Sequence, residues 1–317
     1  MNHLALIPGY RGKIARNEPL APYTTWRIGG PAEYLLEPED IDDLLRVCTF
    51  AAKRGIPLRV LGNGSNVLID DAGLDGFVVR LRWPSSSCRI EDGVMRATAG
   101  MMLPTLAARA AHAGYAGLEF LCAIPGTLGG AVAGNAGRGK VHGIAIQHVL
   151  HAVQIWDPLP RAVRRVLVPE LDFGYRRSCV SEYGWIVLSA EIRLPERDIP
   201  AAILTRQREI IAKRRAKYPH DRATAGSVFR MAPKHENAEH TPGWFIEQAG
   251  LKGARIGGAF VSPIHANWII NDGTATAADI QALMEHISDT VHREFGVRLL
   301  PEVRLLVCDR RLIGAGT

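Results

Sequence analysis

The chain has 317 residues, of which 47% are hydrophobic and 22% are charged, and its formal net charge is +6. These are the values of a globular protein, and the length allows two or three domains. No apolar run approaches the roughly 20 residues of a membrane-spanning helix. The positive charge suits a basic surface or an anionic small molecule, and we expect no nucleic-acid partner because no basic stripe is interleaved with aromatic residues.

The start of the sequence lacks the basic region and the long apolar run of a signal peptide, so we expect a cytoplasmic location. The five cysteines form no C-x-x-C pair, which favours free buried thiols over disulfides or a zinc site. His148 and His151 lie three residues apart, but no further ligand stands near them. We therefore expect no metal site.

The first third of the chain predicts a β-α-β unit. A short strand is expected at Tyr34–Leu36, and the apolar spacing from Ile41 predicts a helix that accommodates Pro38 in its first turn and that Gly55 ends. The apolar run Leu58–Leu61 predicts the next strand.

A glycine-rich segment, Leu61-Gly62-Asn63-Gly64-Ser65-Asn66, follows this strand. Glycine and asparagine reach positive φ at little cost, and successive amides can then converge on an anion. The segment lacks the third glycine of a Rossmann fingerprint, and strands at Val67–Ile69 and Phe77–Leu81 follow where that fold requires a helix. A tight hairpin and an anion-binding loop remain alternatives for this segment alone.

A second glycine-rich segment runs from Ile124 to Gly137 and contains more glycine than a hairpin needs. A helix is expected before it, from Pro104 to about Ala113, with Gly114 as its end. Two such loops favour one large ligand that carries a diphosphate, with a dinucleotide as the first candidate.

The second half of the chain predicts strands and two helices. The strands are expected at Val149–Trp156, Arg164–Leu167, Trp185–Leu194 and Val303–Val307. A helix is expected over residues 200–216. A second begins with the capping box Thr276-Ala277-Ala278-Asp279, continues with apolar residues at helical spacing to Phe295, and ends at Gly296.

Three polar segments stand out in this half. Phe173–Ser178 holds an arginine pair, Ala225–Arg230 surrounds one serine, and Leu300–Arg304 places a glutamate at the mouth of a strand. Taken alone, each segment is better explained by an ordinary structural residue: a surface arginine, a turn serine or an exposed strand-end glutamate.

Together these segments resemble the UDP-N-acetylenolpyruvoylglucosamine reductase family, the flavoenzymes usually called MurB. The resemblance extends from Pro22 to Leu306. The matching segments, in the family's order, are Tyr23–Ala32, Leu61–Asn66, Ile124–Gly137, Gly174–Ser178, Ala225–Phe229, Gly243–Gly253 and Pro301–Arg304. The direct run from Tyr175 to Ser227 is similar to the shorter subtype, which lacks an extra substrate-capping insertion.

The resemblance implies an α+β, three-domain flavoprotein whose FAD-binding half is of the vanillyl-alcohol-oxidase/PCMH type and whose C-terminal α+β domain binds substrate. We expect FAD-binding subdomain 1 at residues 1–83, subdomain 2 at 84–198 and the substrate-binding domain at 199–317, with a return of the C-terminal tail to subdomain 1 left open. FAD is expected to bind noncovalently, because Ser65 and Asn66 stand where related flavin oxidases carry a tethering histidine. The implied cofactor-binding residues are Leu61, Gly62, Asn63, Gly64, Ser65, Asn66, Pro125, Gly126, Thr127, Gly129, Gly130, Asn135, Ala136 and Gly137.

The resemblance also implies the reaction, a step of peptidoglycan precursor synthesis. NADPH reduces the flavin, which passes hydride to C3 of the enolpyruvyl ether of UDP-N-acetylglucosamine. Arg176 matches the family's arginine, a fixed cation for the substrate carboxylate. Ser227 matches the general acid that protonates C2, and Glu302 matches a residue that orients the substrate. The implied substrate-binding residues are Tyr175, Lys217, Arg230 and His265, of which Lys217 suits the diphosphate. We expect a monomer with no membrane partner.

The sequence departs from the family pattern in three places. Arg230 and Met231 stand where Lys-Asn is frequent, Ala133-Gly134 precedes Asn135 where a bulky residue is common, and residues 138–146 lack the usual Tyr-Gly. These departures concern fine contacts with the substrate.

Three alternative functions are open. They are a related FAD-linked oxidase of a small alcohol or lactone, a paralogue that acts on another nucleotide sugar or a specialised metabolite, and a non-enzymatic regulator that binds FAD or a nucleotide sugar. The joint presence of Arg176, Ser227 and Glu302 favours the reductase.

Overall fold

The computed structural model describes residues 7–83, 88–137, 143–194, 196–235 and 239–308, which fold into mixed helices and strands. Residues 1–6, part of the signal-peptide expectation, and residues 138–142, part of the departure noted above, lie outside the described residues. The helices are α1 (Ile41–Arg54), α2 (Leu103–His112), α3 (Leu128–Gly134), α4 (Cys179–Glu182), α5 (Pro200–Lys217), α6 (Pro242–Gln248) and α7 (Ala277–Phe295).

The strands occur before, between and after these helices, in places several in succession. They are β1 (Lys13–Pro19), β2 (Pro31–Glu37), β3 (Leu58–Leu61), β4 (Val67–Ile69), β5 (Leu74–Arg80), β6 (Cys88–Glu91), β7 (Val94–Thr98), β8 (Tyr115–Ala116), β9 (Leu150–Asp157), β10 (Ala162–Leu167), β11 (Ile186–Arg193), β12 (Glu196–Arg197), β13 (Phe229–Met231), β14 (Arg255–Ile256), β15 (Ala259–Val261), β16 (Ile269–Asn271), β17 (Leu299–Pro301) and β18 (Arg304–Leu306).

Capping residues define both ends of helix α1. The Asp40 carboxylate accepts a hydrogen bond from Asp43 N at 2.9 Å, and Gly55 closes the helix with a φ of +64°. Glycine adopts this left-handed conformation without a Cβ penalty, so the predicted end is confirmed. The prediction that Pro38 lies in the first turn is wrong, because the Asp40 cap makes the helix begin at Ile41.

Two sheets of four and five strands are present. The four-stranded sheet has the order β1-β2-β5-β3, with β3 parallel to β5. The five-stranded sheet is antiparallel, in the order β10-β9-β11-β7-β6. The strands predicted between residues 149 and 194 are confirmed as β9, β10 and β11.

The chain divides into two compact units. The first contains Met1–Ala15, Tyr34–Asn63 and Gly76–Arg214. Its core combines apolar side chains of helices α1 to α3 with those of the five-stranded sheet. Fully buried members include Leu44, Val47, Leu106, Ala107, Ala110, Val132, Val153, Ile155 and Leu188. Leu106, Ala107 and Ala110 are thus the residues by which α2 packs into this core.

The second unit contains Arg16–Glu33, Gly64–Asp75 and Arg215–Thr317. It holds the antiparallel pair β13–β17, the meander β14-β15-β16 and the parallel pair β4–β18. Trp26 is fully buried in its core, and Trp26 Nε1 donates to Ile269 O at 2.9 Å.

Helix α7 starts as the sequence predicts. Thr276 Oγ1 accepts from Asp279 N, and the Asp279 carboxylate accepts from Thr276 N, both at 3.0 Å. The carboxylate of Asp71 accepts from the first two helical amides at 2.8 and 3.1 Å, a second cap from a distant part of the sequence. Phe295, placed on the apolar face by its spacing, is 37% exposed, since it is the last helical residue before Gly296.

The second glycine-rich segment is partly helical, although no helix was predicted there from the sequence. Thr127 caps α3, and Thr127 Oγ1 accepts from Gly130 N at 3.4 Å. Leu128, Ala131 and Val132 are buried at helical spacing. This burial outweighs the low helix propensity of the glycines.

All five cysteines are free, and four of them are buried. No group of His, Cys, Asp and Glu within the described ranges could hold a metal ion. No helix in the part of the chain that the structure describes has the length and hydropathy of a membrane span.

Candidate active site

The segment Leu61–Asn66 joins two strands that do not pair with each other. Strand β3 pairs with β5, and β4 pairs with β18, so the hairpin alternative is wrong. Gly64 has a φ of +61°, and a Cβ at this position would lie 2.2 Å from Tyr23 O. Only glycine fits there.

The amides of this loop suit an anion. The main-chain N–H groups of Asn63, Gly64 and Ser65 meet no acceptor among the described residues. Successive amides around a left-handed residue form a concavity that binds phosphate groups. The local geometry therefore agrees with the diphosphate-binding role inferred from the sequence.

The two glycine-rich segments touch each other. Asn63 Nδ2 donates to Pro125 O at 2.8 Å, and a Cβ on Gly62 would lie 2.6 Å from Thr127 Oγ1. Gly126 O accepts from Leu103 N at 2.9 Å, which anchors the second segment to the start of α2. The two segments are therefore close enough to each other to bind one ligand.

The first amides of α3 do not form the expected anion nest. Leu128 N donates to Met101 O and Gly129 N donates to Ala99 O, both at 2.8 Å. These groups are engaged within the protein, so the expected convergence of amides is wrong at this helix. Gly130 is exposed, and because it has no side chain it leaves the surface of α3 uncovered at this position.

Asn135 ends α3 in the left-handed conformation, with a φ of +43°. Its Nδ2 donates to Gln147 Oε1 at 2.7 Å and to Gly174 O at 2.8 Å. Its Oδ1 is buried and has no partner among the described residues. Since a buried acceptor is seldom left unpaired, this oxygen fits a ligand donor. Ala136 N donates to Ala131 O at 2.9 Å and completes the turn.

Arg176 lies in a tight turn that Asn135 supports. Gly174 and Arg177 exchange two main-chain hydrogen bonds, of 3.0 and 3.2 Å, and Arg176 between them has a φ of +54°. A non-glycine residue held in this conformation stores strain and is frequent at functional sites. Arg176 Nη1 donates to Gly137 O at 3.2 Å, and its guanidinium lies 5.4 Å from the ring centroid of the exposed Tyr175.

The two arginines of this turn differ in their partners. Arg177 forms ion pairs with Asp172 at 2.6 Å and Glu182 at 2.9 Å. Arg176 instead contacts the glycine-rich segment through Gly137. The structure therefore gives Arg177 a local structural role, and Arg176 stays the predicted ligand-binding cation.

Ser227 and Glu302 lie at the same end of the β13–β17 pair. Phe229 is opposite Pro301 in this pair, and Glu302 N donates to Val228 O at 2.7 Å. Gly226, with a φ of +83°, precedes the serine. Two segments separated by more than 70 residues in sequence thus place Ser227 and Glu302 at neighbouring main-chain positions. Arg230 lies within β13, opposite Leu300.

The first glycine-rich loop is hydrogen-bonded to the segment that contains Glu302. Asn66 Nδ2 donates to Glu302 O at 3.3 Å, and Arg304 N donates to Asn66 O at 3.0 Å. A residue predicted to bind the cofactor and a residue predicted to act on the substrate are therefore held together.

Lys217 and His265 lie beside one aromatic side chain. Lys217 Nζ is 5.9 Å from the Tyr218 ring centroid, and the His265 and Tyr218 ring centroids are 5.1 Å apart. Trp268 stacks on Tyr218 with ring centroids 5.1 Å apart. Burial, followed by the charges of Lys217 and Lys252, lowers the pKa of His265 from its ordinary value.

Sequence reasoning missed Asn267, which links these groups. Asn267 N donates to His265 Nδ1 at 3.2 Å, and Asn267 O accepts from Val228 N at 2.9 Å. The only signal in the sequence is the occurrence of two asparagines, Asn267 and Asn271, in the otherwise apolar run 266–271.

Two family models match most of the chain. Residues 32–164 match the FAD binding domain, and residues 218–306 match the C-terminal domain of UDP-N-acetylenolpyruvoylglucosamine reductase. The fold and the site thus define a flavoprotein, and the predicted α+β class with an FAD-binding half is confirmed.

Comparison with individual relatives identifies the family within the flavoproteins. The chain is 44% identical over 297 residues to the UDP-N-acetylenolpyruvoylglucosamine reductase of Synechococcus sp. (strain JA-3-3Ab), with 93% of this chain and 92% of the relative covered. It is 41% identical over 295 residues to the enzyme of the same name from Carboxydothermus hydrogenoformans, covering 92% and 94%. The crystal structure of the Thermus caldophilus reductase (MurB) superimposes with a TM-score of 0.74 at 33% identity, covering 93% of this chain and 99% of that one. The chain belongs to the UDP-N-acetylenolpyruvoylglucosamine reductase family.

The residues of this site fit FAD, the cofactor that the match to the FAD binding domain implies. The loop amides from Asn63 to Ser65 suit its diphosphate, and the unpartnered Asn135 Oδ1 suits a ligand N–H. The exposed Cα of Gly130 allows close approach of a flat ring. Ser65 and Asn66 offer no histidine for a covalent tether, which agrees with noncovalent binding.

Proposed function

We propose that the protein catalyses the NADPH-dependent reduction of UDP-N-acetylglucosamine enolpyruvate to UDP-N-acetylmuramate, with FAD as cofactor, in peptidoglycan precursor synthesis. Family membership supports the reaction class. The observation that carries the proposal is the juxtaposition of the Ser227 and Glu302 positions through the Glu302 N–Val228 O hydrogen bond of 2.7 Å.

The reaction adds a hydride to C3 and a proton to C2 of the enolpyruvyl group, and bound FAD supplies the hydride, which originates from NADPH. Ser227 supplies the proton from its hydroxyl. A serine hydroxyl is a weak acid, so neighbouring groups must hold it in place and stabilise the charge that it leaves. The rigid β13–β17 pair holds its main chain, and Glu302 beside it orients the substrate.

Arg176 neutralises the substrate carboxylate, into which negative charge spreads before C2 is protonated. A guanidinium is a cation that offers two parallel donors to a carboxylate. The strained turn and the contact with Gly137 O pre-position it, which supports this role because a fixed cation loses little freedom on binding.

The remaining polar residues bind the nucleotide sugar. Lys217 is exposed at the end of α5 and serves the diphosphate as a point charge. His265, kept neutral by burial, accepts from Asn267 N at Nδ1 and therefore carries its proton on Nε2, where it donates to the substrate. Tyr175 and Arg230 complete the substrate-binding set. The diphosphate of FAD is held by residues 62–66 and its ring by residues 125–137.

We further propose that the protein acts in the cytoplasm as a monomer and, through its product, serves cell division and cell shape. The domain division at residues 83 and 198 stays a proposal as well. An FAD-linked oxidase is the second candidate function, and the Ser227–Glu302 arrangement disfavours it. Oxidation of an alcohol removes hydride from a substrate carbon and a proton from the hydroxyl, so it needs no group that donates a proton to a substrate carbon.

One experiment separates these functions. The yellow holoprotein is mixed with NADPH under argon and then with the enolpyruvyl substrate, and the flavin absorbance is followed. We expect bleaching by NADPH, recovery of colour on addition of substrate, and one UDP-N-acetylmuramate formed per NADPH. Recovery by oxygen alone, with no recovery by substrate, would contradict the reductase and favour an oxidase.

A further inference from the structure

Asn267 makes four hydrogen bonds with the main chain and side chains around the Ser227 segment. Asn267 Oδ1 accepts from Phe229 N and Asn267 Nδ2 donates to Phe229 O, each at 2.9 Å. Its own carbonyl accepts from Val228 N at 2.9 Å, and its amide donates to His265 Nδ1 at 3.2 Å. Asn267 is 6% exposed, and its two side-chain bonds with Phe229 form away from water.

These contacts fix the segment that follows Ser227 from one side, while Glu302 fixes it from the other. Both main-chain groups of Phe229 are bound by one amide, and Val228 is bound at N by Asn267 and at O by Glu302. Gly226, on the other side of the serine, has open space where a Cβ would be. The main chain is therefore fixed by hydrogen bonds at residues 228 and 229, directly after the serine.

We propose that Asn267 is a positioning residue that holds the hydroxyl of Ser227 for proton transfer. The inference rests on the proposed function, because it assumes that Ser227 protonates C2. Misplacement of a reacting group by about 1 Å can cost on the order of 10²-fold in rate. Loss of the amide donor to Phe229 O is thus expected to slow the proton-transfer half of the reaction and to spare the half in which NADPH reduces the flavin.

The chain offers a matched control in Asn271, also 6% exposed. Asn271 Nδ2 donates to Trp26 O at 2.9 Å, and its Oδ1 accepts from Gly273 N and Ala275 N. N267D and N271D therefore each replace one buried amide donor to a main-chain oxygen, at equal distance, by a carboxyl of the same shape. Only the first of these bonds involves the Ser227 segment.

The test is stopped-flow measurement of the two half-reactions in wild type, N267D and N271D holoenzyme. At pH 8 we expect N267D to be reduced by NADPH within twofold of wild type and to be reoxidised by substrate about 10- to 100-fold more slowly. Both rates of N271D should stay within twofold of wild type. Melting temperatures should fall by similar amounts in the two variants, since each loses one equivalent bond.

The pH profile gives a readout that a purely structural role would not move. A protonated carboxyl is a donor like the amide it replaces, and burial raises its pKa. As the pH falls from 8 to 5.5, reoxidation of N267D should recover relative to wild type, whereas N271D should show no trend. Rates are taken as ratios to wild type at each pH, because the other charged groups near the segment, His265, Glu302 and Lys217, are the same in both proteins.

A double variant tests whether Asn267 acts through the serine. S227A/N267D should be no slower than S227A alone, because a removed hydroxyl cannot be misplaced. Multiplying effects would overturn the inference, as would equal slowing of reoxidation in N267D and N271D, equal slowing of both half-reactions in N267D, or wild-type rates in N267D.

Two further outcomes are distinguishable from these. If N267D does not fold, N267A, which removes the side chain without adding a charge, must show the same split between the half-reactions or the inference is wrong. If substrate does not reoxidise reduced wild-type enzyme, the proposed function fails, and the inference fails with it.

Discussion

The side chain of Asn66 donates a hydrogen bond to the main-chain oxygen of Glu302, at 3.3 Å. The bond joins the loop whose amides suit a diphosphate to the residue that follows β17. A cofactor held by this loop and a substrate held at Glu302 would therefore share one rigid support, which hydride transfer between them requires.

Ser227→Ala is expected to separate the two half-reactions. The proton is needed only after hydride has reached the substrate, so NADPH should reduce the flavin of the variant at nearly the wild-type rate. Reoxidation by substrate should slow by about 10²-fold or more, the scale of a lost general acid. Stopped-flow absorbance at the flavin band measures both steps. Equal slowing of both would mean that the hydroxyl serves the cofactor site or the fold.

Arg176 and Arg177 should respond differently to replacement. Arg176→Ala is expected to slow reoxidation by about 10²-fold, as for loss of one fixed group that stabilises transition-state charge. Arg176→Lys should recover part of the rate, since the charge remains but the bidentate geometry is lost. Arg177→Ala breaks two exposed ion pairs and should change neither half-reaction. The reverse order of effects would reassign the substrate cation to Arg177.

Gly130→Ala should lower FAD affinity without lowering stability. The new Cβ would meet only Thr127 Oγ1, at 3.4 Å, and alanine in a helix is favoured over glycine by roughly 0.5–1 kcal/mol. The melting temperature of the apoprotein should therefore stay the same or rise. The Kd of FAD, measured by quenching of its fluorescence, should rise about tenfold, or roughly 1.4 kcal/mol. Unchanged affinity together with a raised melting temperature would show that FAD does not cover this face of α3.

The lowered pKa of His265 makes stability depend on pH. As the pH falls below about 6.5, the ordinary value, the unfolded chain takes up a proton that the folded protein takes up only at lower pH. The contribution of His265 is therefore fully present above this pH and is lost as the pH falls. In urea unfolding between pH 8 and 5, His265→Gln should flatten the decline seen in wild type. Parallel curves for the two proteins would show that the burial of His265 does not affect its proton affinity.

Local sequence signals predicted the elements whose ends carry their own caps. The Thr276–Asp279 capping box and Gly55 act within one helical turn, so the start of α7 and the end of α1 could be read from the chain. Helix α3 was missed because its glycines suggest a loop. The apolar spacing of Leu128, Ala131 and Val132 was the signal that competed with them.

Contacts between distant segments could not be predicted from the sequence in the same way. Arg176 and Arg177 are neighbours of one type, and only the positions of Gly137, Asp172 and Glu182 distinguish them. Asn267 has no local motif, because the partner of its side chain, Phe229, lies 38 residues away in sequence. The family resemblance identified the candidate site residues, whereas the residues that hold them in place became visible only in the structure.

The parallel pairing of β18 with β4 has a consequence for the order of folding. Arg304 lies opposite Val67, so more than 230 residues of chain separate partners in one two-stranded ladder. During synthesis, β4 cannot form its pair with β18 until β18 has left the ribosome. Until then, the loop at Asn66 lacks the hydrogen bond from Arg304 N. The nascent chain can therefore assemble the β9–β11 sheet early, but it cannot complete the loop that would hold the cofactor until translation has passed residue 306.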